Sequence, residues 1–130
     1  MPGAHILIVE DEQLIRLFIA ESLQEYGFQV SEAENAAEAM TKLAADDGTI
    51  DAVVIDVGLP DKPGDQLADD VRAKWADLPI VIASGRDIEE FGRRYRGDNR
   101  VAAVGKPYTT EMLLDALRAA GIDVGRAVPG

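Results

Sequence analysis

Four short apolar runs in this chain each end on a polar residue able to do chemistry. His5 to Val9 runs into Glu10-Asp11-Glu12, and Ala52-Val53-Val54-Ile55 into Asp56. Ile80 to Ala83 ends at Ser84-Gly85, and Val101 to Val104 at Gly105-Lys106-Pro107. Clustered carboxylates repel one another, and a hard divalent cation relieves that repulsion. Mg²⁺ takes octahedral oxygen coordination, keeps several waters, and binds through one or two carboxylates plus a phosphate. Asp11 and Asp56 suit that task, with Glu10 one water further out. A carboxylate is also a nucleophile that forms an aspartyl phosphate. Charge developing on the incoming phosphoryl oxygens then needs donors, and Lys106 offers an ammonium and Ser84 a hydroxyl. The set has the parts for metal-dependent phosphoryl transfer onto Asp56.

Such a set works only if the fold brings the run ends together. Unbroken apolar runs of four or five residues suit strands covered on both faces of a parallel sheet. Between them lie helical spacings. Leu14/Ile15, Phe18/Ile19 and Leu23 mark a first helix stopped by Gly27, and Phe28 to Ser31 a short second strand. Asn35 caps a second helix, with Glu38 three residues on, Ala37, Met40 and Leu43/Ala44 inward, and Gly48 as its end. Leu67/Ala68, Val71 and Trp75 mark a third helix; Thr109 caps a last one carrying Met112/Leu113, Ala116/Leu117 and Ala120, ended by Gly121. Between Arg86 and Arg100 the pattern is ambiguous: Ile88, Phe91 and Tyr95 share a helical face, yet Gly92 and Gly97 weaken it, leaving helix or loop open.

Five strand-then-helix units in succession predict an α/β fold, a doubly wound five-stranded parallel sheet with helices on both faces and strand order 2-1-3-4-5. The switch point then falls between the first and third strands, the two that end in acid. One domain over residues 1–122 with a tail over 123–130 accounts for the whole length.

Composition narrows the classes further. Apolar residues make up 47% of the chain, and no cysteine is present, which excludes disulfides and thiolate metal sites. With 24 acidic against 13 basic residues the net charge is −11, which argues against a nucleic-acid surface, since phosphate contacts need clustered cations. No apolar run reaches bilayer length and the start lacks a signal pattern, so a cytoplasmic location without membrane contact is expected.

Ile8-Val9-Glu10-Asp11-Glu12, Asp56-Val57-Gly58-Leu59-Pro60-Asp61 with Gly64, Ala83-Ser84-Gly85, and Lys106-Pro107-Tyr108 together resemble the receiver domain of two-component response regulators, over nearly the whole chain. The resemblance implies a flavodoxin-like receiver fold and a single-domain response regulator. Asp56 would accept a phosphoryl group from a histidine kinase or histidine phosphotransfer protein. Asp11, Asp56 and the Gly58 main-chain carbonyl would hold Mg²⁺, with Glu10 in the outer sphere. Lys106 would pair with the phosphoryl group, Ser84 would close onto it, and the Lys106–Pro107 peptide would be cis. Output would come through an unknown downstream protein, homodimerisation, or a phosphoryl relay or sink, rather than through enzymatic turnover.

Two positions depart from the family pattern. The switch aromatic three residues before the lysine is replaced by Ala103, with Tyr95 or Tyr108 as substitutes. Position 58, two beyond the acceptor, is glycine and cannot steer water. A haloacid-dehalogenase-type phosphatase would require an aspartate there, which argues against that alternative. A receiver fold serving as a phosphorylation-independent interaction module is the other alternative, and Ala103 is its footing. Arg86, Arg93, Arg94, Arg96 and Arg100 read most simply as a solvated helix face; a docking or self-association surface is the sharper reading. His5 reads as structural, and Phe18, Trp75 and Phe91 as packing residues.

Overall fold

The computed structural model describes residues 3–46, 49–85 and 88–124, with the Asp46 side chain also left aside. Ten elements alternate along the chain: β1 (His5–Val9), α1 (Gln13–Glu25), β2 (Gln29–Ala33), α2 (Ala36–Asp46), β3 (Ala52–Asp56), α3 (Gly64–Lys74), β4 (Ile80–Ser84), α4 (Ile88–Arg94), β5 (Val101–Gly105) and α5 (Thr110–Ala119). The strands form one parallel sheet in the order β2-β1-β3-β4-β5, as the alternation predicts. Alternation within each strand feeds two cores. Ile6, Ile8, Val54 and Val81 pack with Leu23, Leu113 and Leu117 of α1 and α5. Leu7, Val9, Val53, Ile55, Ile80 and Ile82 face the opposite way, onto Leu43, Leu67, Val71 and Phe91 of α2, α3 and α4. β3 and β4 are buried at every position, which is why their sequences read as unbroken apolar runs.

Helix ends follow the local chemistry. Gly27 leaves α1 with φ at 92°, the left-handed conformation glycine adopts without steric cost. The Asn35 side chain accepts the Glu38 N–H at 2.7 Å, and Glu38 reaches back to the Glu34 N–H at 2.9 Å. Thr109 caps α5 by accepting the Met112 N–H at 3.1 Å. His5 is structural as expected, its ring 2.7 Å from the Ser31 hydroxyl of the neighbouring strand.

Several inward faces differ from the sequence expectation. On α1 the buried residues are Ile19, Ala20 and Leu23, while Leu14 is 82% and Phe18 65% exposed. Ile15, also expected inward, is 37% exposed, and of these residues the core takes only Ile19 and Leu23 from the far end of the helix. On α2 the buried stripe is Ala36, Ala39 and Leu43, with Met40 half-buried and Ala37 and Ala44 exposed, because an alanine-rich helix has several equally apolar faces. Met112 is exposed on α5, where Leu114 turns inward beside the expected Leu113. The second strand runs two residues further than expected, to Ala33. The ambiguous fourth unit is a helix of seven residues that buries Phe91, with Ile88 and Tyr95 half-buried beside it. Ile122 and Val124 continue the first core beyond α5. Gly48, Arg86, Asp87 and 125–130 lie outside the described residues.

α3 begins where β3 ends, and the join is tight. The Gly64 N–H donates to the Val57 carbonyl at 2.9 Å, and a β-carbon on Gly64 would lie 2.3 Å from the Asp56 carbonyl oxygen and 2.6 Å from the Val57 Cα. Both obstacles are backbone, so neither can rotate away. Gly64→Ala is expected to lower stability by about 1–3 kcal/mol, the usual cost of overpacking a closely fitted contact. Urea unfolding followed by circular dichroism measures this, and an unchanged midpoint would show that α3 shifts freely on the strand.

Candidate functional site

The carboxyl ends of β1, β3, β4 and β5 meet at one cleft of about 430 Å³, lined by Asp11, Glu12, Asp56, Gly58, Ser84 and Lys106 among others. Ladder hydrogen bonds run up to its floor: Val57 N–H donates to the Ala83 carbonyl at 3.0 Å, and Lys106 N–H to the Ser84 carbonyl at 2.8 Å. Asp56 and Ser84 are buried, so their side chains belong to the sheet's interior as much as to the cleft. The five side chains singled out by sequence, Glu10, Asp11, Asp56, Ser84 and Lys106, all arrive here. The Lys106–Pro107 peptide is cis.

Three carboxylates are packed together. Glu10, Asp11 and Asp56 each offer an oxygen within 4.8 Å of the others. Glu10 is buried, and its carboxylate accepts the Glu12 N–H at 3.0 Å. Lys106 lies among them: its ammonium donates to Asp56 Oδ1 and stands 3.5 Å from Glu10 Oε1. Burial alone would lower the lysine's pKa, but the hydrogen bond and charge of Asp56, with Glu10 behind, hold it above its ordinary value. Burial raises the Glu10 carboxyl; the Glu12 N–H works against this, while the Asp56 charge adds to it. The Gly58 backbone runs beside the Asp56 carboxylate, since a β-carbon there would sit 3.5 Å from Asp56 Oδ2. That is ordinary contact, so a side chain at position 58 fits sterically.

The donor set suits a hard divalent cation. All the clustered atoms are oxygens, the three carboxylates carry more negative charge than one lysine cancels, and Asp11 is exposed to the cleft.

Two residues with a structural part in this site carried no role in the sequence reading. Arg16 donates from Nη1 to the Glu10 carbonyl at 2.7 Å and from Nε to Glu32 Oε1 at 2.9 Å, with its side chain only 13% exposed. Its signal was a lone cation inside the apolar run Leu14-Ile15-Arg16-Leu17-Phe18. Asp61, in the loop after β3, accepts the Ala36 N–H at 2.9 Å and the Ala37 N–H at 3.0 Å, and these bonds hold its carboxyl below the usual carboxylate range. Nothing in the order of residues announces that contact, because its partner lies 25 positions away.

The tyrosines expected as substitutes for the aromatic at Ala103 are both placed elsewhere. Tyr95 donates to Asp69 Oδ1 at 2.8 Å and to the Asp65 carbonyl at 3.1 Å, tying α4 to α3. Arg94 pairs with Asp65 at 2.6 Å and with Asp69, so this arginine serves an interhelix tie rather than a solvated face. Tyr108 packs on the opposite core.

The model of the response regulator receiver domain matches residues 6–118. The chain is 30% identical over 116 residues to the sensor kinase CckA of Brucella abortus (strain 2308), covering 89% of this chain and 12% of that protein. It is 36% identical over 85 residues to the KDP operon transcriptional regulatory protein KdpE of Escherichia coli (strain K12), covering 65% and 36%. Of these two curated relatives it spans well under half. The crystal structure of a response regulator receiver protein from Sinorhizobium medicae WSM419 superposes with a TM-score of 0.78 at 28% identity, covering 91% of this chain and 94% of that one.

The raised Glu10 carboxyl fixes the sign of a pH effect. The folded state binds this proton more tightly than the unfolded chain does, so stability falls as pH rises from the ordinary glutamate value of 4.5 through the raised one. Glu10→Gln keeps an acceptor for the Glu12 N–H and removes the charge. It is expected to melt higher than the native chain at pH 7, with the gap narrowing as pH falls towards 4.5. Thermal melts across that range, without divalent cations, test this; a gap that widens on acidification would contradict it.

Proposed function

The chain belongs to the response regulator receiver domain family of two-component signal transduction, and on that premise we propose that Asp56 is its phosphoacceptor, phosphorylated in a Mg²⁺-dependent reaction. The observation that carries the proposal is the Asp56 carboxylate itself, buried at the end of the central strand, held by Lys106 and clustered with two further acids. A carboxylate oxygen of Asp56 attacks the phosphorus of a phosphohistidine donor, the P–N bond breaks, and the imidazole leaves with the bonding pair. Lys106 stays charged well past neutrality and stands ready for a phosphoryl oxygen. The buried Ser84 hydroxyl, on the neighbouring strand end, supplies a second donor. Asp11, Asp56 and the Gly58 carbonyl would hold Mg²⁺, with Glu10 one water away. When bound, Mg²⁺ neutralises the clustered acids and the incoming phosphoryl oxygens.

A donor histidine has to reach Asp56 over the cleft rim, and α1 starts directly after Glu12, which lines the cleft. Leu14 and Phe18 are exposed there, and Ile15, Phe18 and Ile19 line an apolar hollow of about 360 Å³ with Lys106, Pro107 and Tyr108. An exposed apolar patch of this kind marks an interaction surface. We assign it to the histidine kinase or histidine phosphotransfer protein. Signal output then passes to another protein, a second copy of the chain, or a phosphoryl relay.

Intact mass after incubation with acetyl phosphate tests the chemistry. A Mg²⁺-dependent gain of one phosphoryl group, lost in Asp56→Asn, is expected; the same gain in the variant would exclude Asp56 as acceptor. Combining Leu14→Ala with Phe18→Ala is expected to slow transfer from a phosphohistidine protein by about tenfold, the scale of a small interface hot spot. Labelling by acetyl phosphate, which needs no docking surface, should be unaffected. Equal slowing with both donors would place the defect in the cleft instead.

A further inference from the structure

Both loops that would hold the cation are fastened to the two sides of the same short turn, and neither fastening uses the side chain of a cation ligand. β2 ends at Ala33 and α2 starts at Ala36, so the joining turn is only Glu34-Asn35. On one side, the Glu10 N–H donates to the Ala33 carbonyl at 3.0 Å. Arg16 clamps the Glu10 carbonyl to Glu32, the residue before Ala33. On the other side, Asp61 takes the first two N–H groups of α2, those of Ala36 and Ala37. Lys42 of α2 binds the Glu32 carbonyl, closing the strand, turn and helix into one unit.

We propose that this turn is a shared brace for the cation site, with Arg16 and Asp61 as positioning residues that set the spacing of Glu10-Asp11 from Asp56-Gly58. The proposal rests on the reading of the cleft as a Mg²⁺-dependent acceptor site. Mg²⁺ tolerates little departure from octahedral geometry. A loop free to drift therefore costs affinity even with every ligand in place. Supporting contacts of this kind are worth about 10–100-fold in metal affinity.

Charge makes the test decisive. Arg16 is a cation beside the acids, so by electrostatics alone Arg16→Met would tighten Mg²⁺ binding; as part of a brace, its loss weakens binding. Asp61→Ala weakens binding on either account, but Asp61→Asn separates them. Asparagine lacks the charge yet keeps one acceptor, so the brace predicts an intermediate affinity and charge alone predicts a loss equal to alanine's.

Isothermal titration of Mg²⁺ into the full chain reads these affinities directly, with acetyl phosphate labelling alongside. Each of Arg16→Met and Asp61→Ala is expected to weaken binding about tenfold. The double variant should fall short of the product, because both residues act through one turn. Arg72→Met removes a comparable tie, to Asp98 at 2.7 Å and to the Trp75 carbonyl at 2.8 Å, at the far end of α3. It should lower the melting temperature without moving the Mg²⁺ affinity. Should Arg16→Met fold poorly, Arg16→Lys takes its place, with a smaller weakening expected. Unchanged or tighter binding in the Arg16 variants, an Asp61→Asn loss equal to alanine's, or strictly multiplicative effects in the double would overturn the brace. A native chain that neither binds Mg²⁺ nor gains a phosphoryl group would instead overturn the acceptor reading beneath it.

Discussion

Repulsion among Glu10, Asp11 and Asp56 is the constraint around which one end of the sheet is arranged. Bringing three carboxylate oxygens within 4.8 Å of one another costs free energy that the apolar strands beneath have to offset. The protein limits the cost in three ways. It places Lys106 among the acids, leaves Asp11 exposed, and gives the Glu10 carboxylate a backbone donor at Glu12. Two of the acids stand on strand ends whose preceding residues are almost wholly buried, so they cannot move apart. The cluster is therefore pre-strained in favour of a cation, and rigidity of the sheet is what keeps it so.

The sheet was legible in the sequence because parallel strands buried on both faces leave a signature that survives without context. β3 and β4 were plain for that reason, and so was the arrival of Asp56 and Ser84 at one edge. Lys106 was equally legible, since Gly105-Lys106-Pro107 ends the last apolar run. Helix faces were less legible. Leu14 and Phe18 have the spacing of core residues and are not in the core, because an outward apolar row and an inward one have the same period. The alanines of α2 carry too little contrast to choose between faces. Arg16 and Asp61 were out of reach for a different reason: each takes a main-chain partner, which any residue type supplies, and the rest of each contact lies on a segment 16 to 25 positions away.

α4 shows how the fold manages without an aromatic at position 103. Ala103 packs toward the same core as Phe91, and Gly105 leaves a β-carbon's room against Ile88 at 3.4 Å. Small residues on β5 thus receive larger ones from α4. The helix has only seven residues, so Phe91 and the Arg94 and Tyr95 contacts to α3 supply much of its attachment. Burial and the neighbouring Asp69 push the Tyr95 hydroxyl well above its ordinary pKa, so it stays a donor throughout the physiological range. α4 is accordingly fastened sideways to α3 as well as downward to the sheet.

The contact at Gly64 has an optical consequence. α3 abuts the Asp56 peptide at one end, and about 16 Å away, at its eleventh residue, it gives way to Trp75. Trp75 is the chain's only tryptophan, and it stands half-buried beside Leu43 and Ile50 at the edge of a hollow of about 230 Å³. With no slack at Gly64, a displacement of Asp56 along its strand would press on the helix whose other end carries the indole beside Leu43 of α2. Its emission would then serve as a gauge of the Asp56 end, readable without a label and without a second chromophore of its kind.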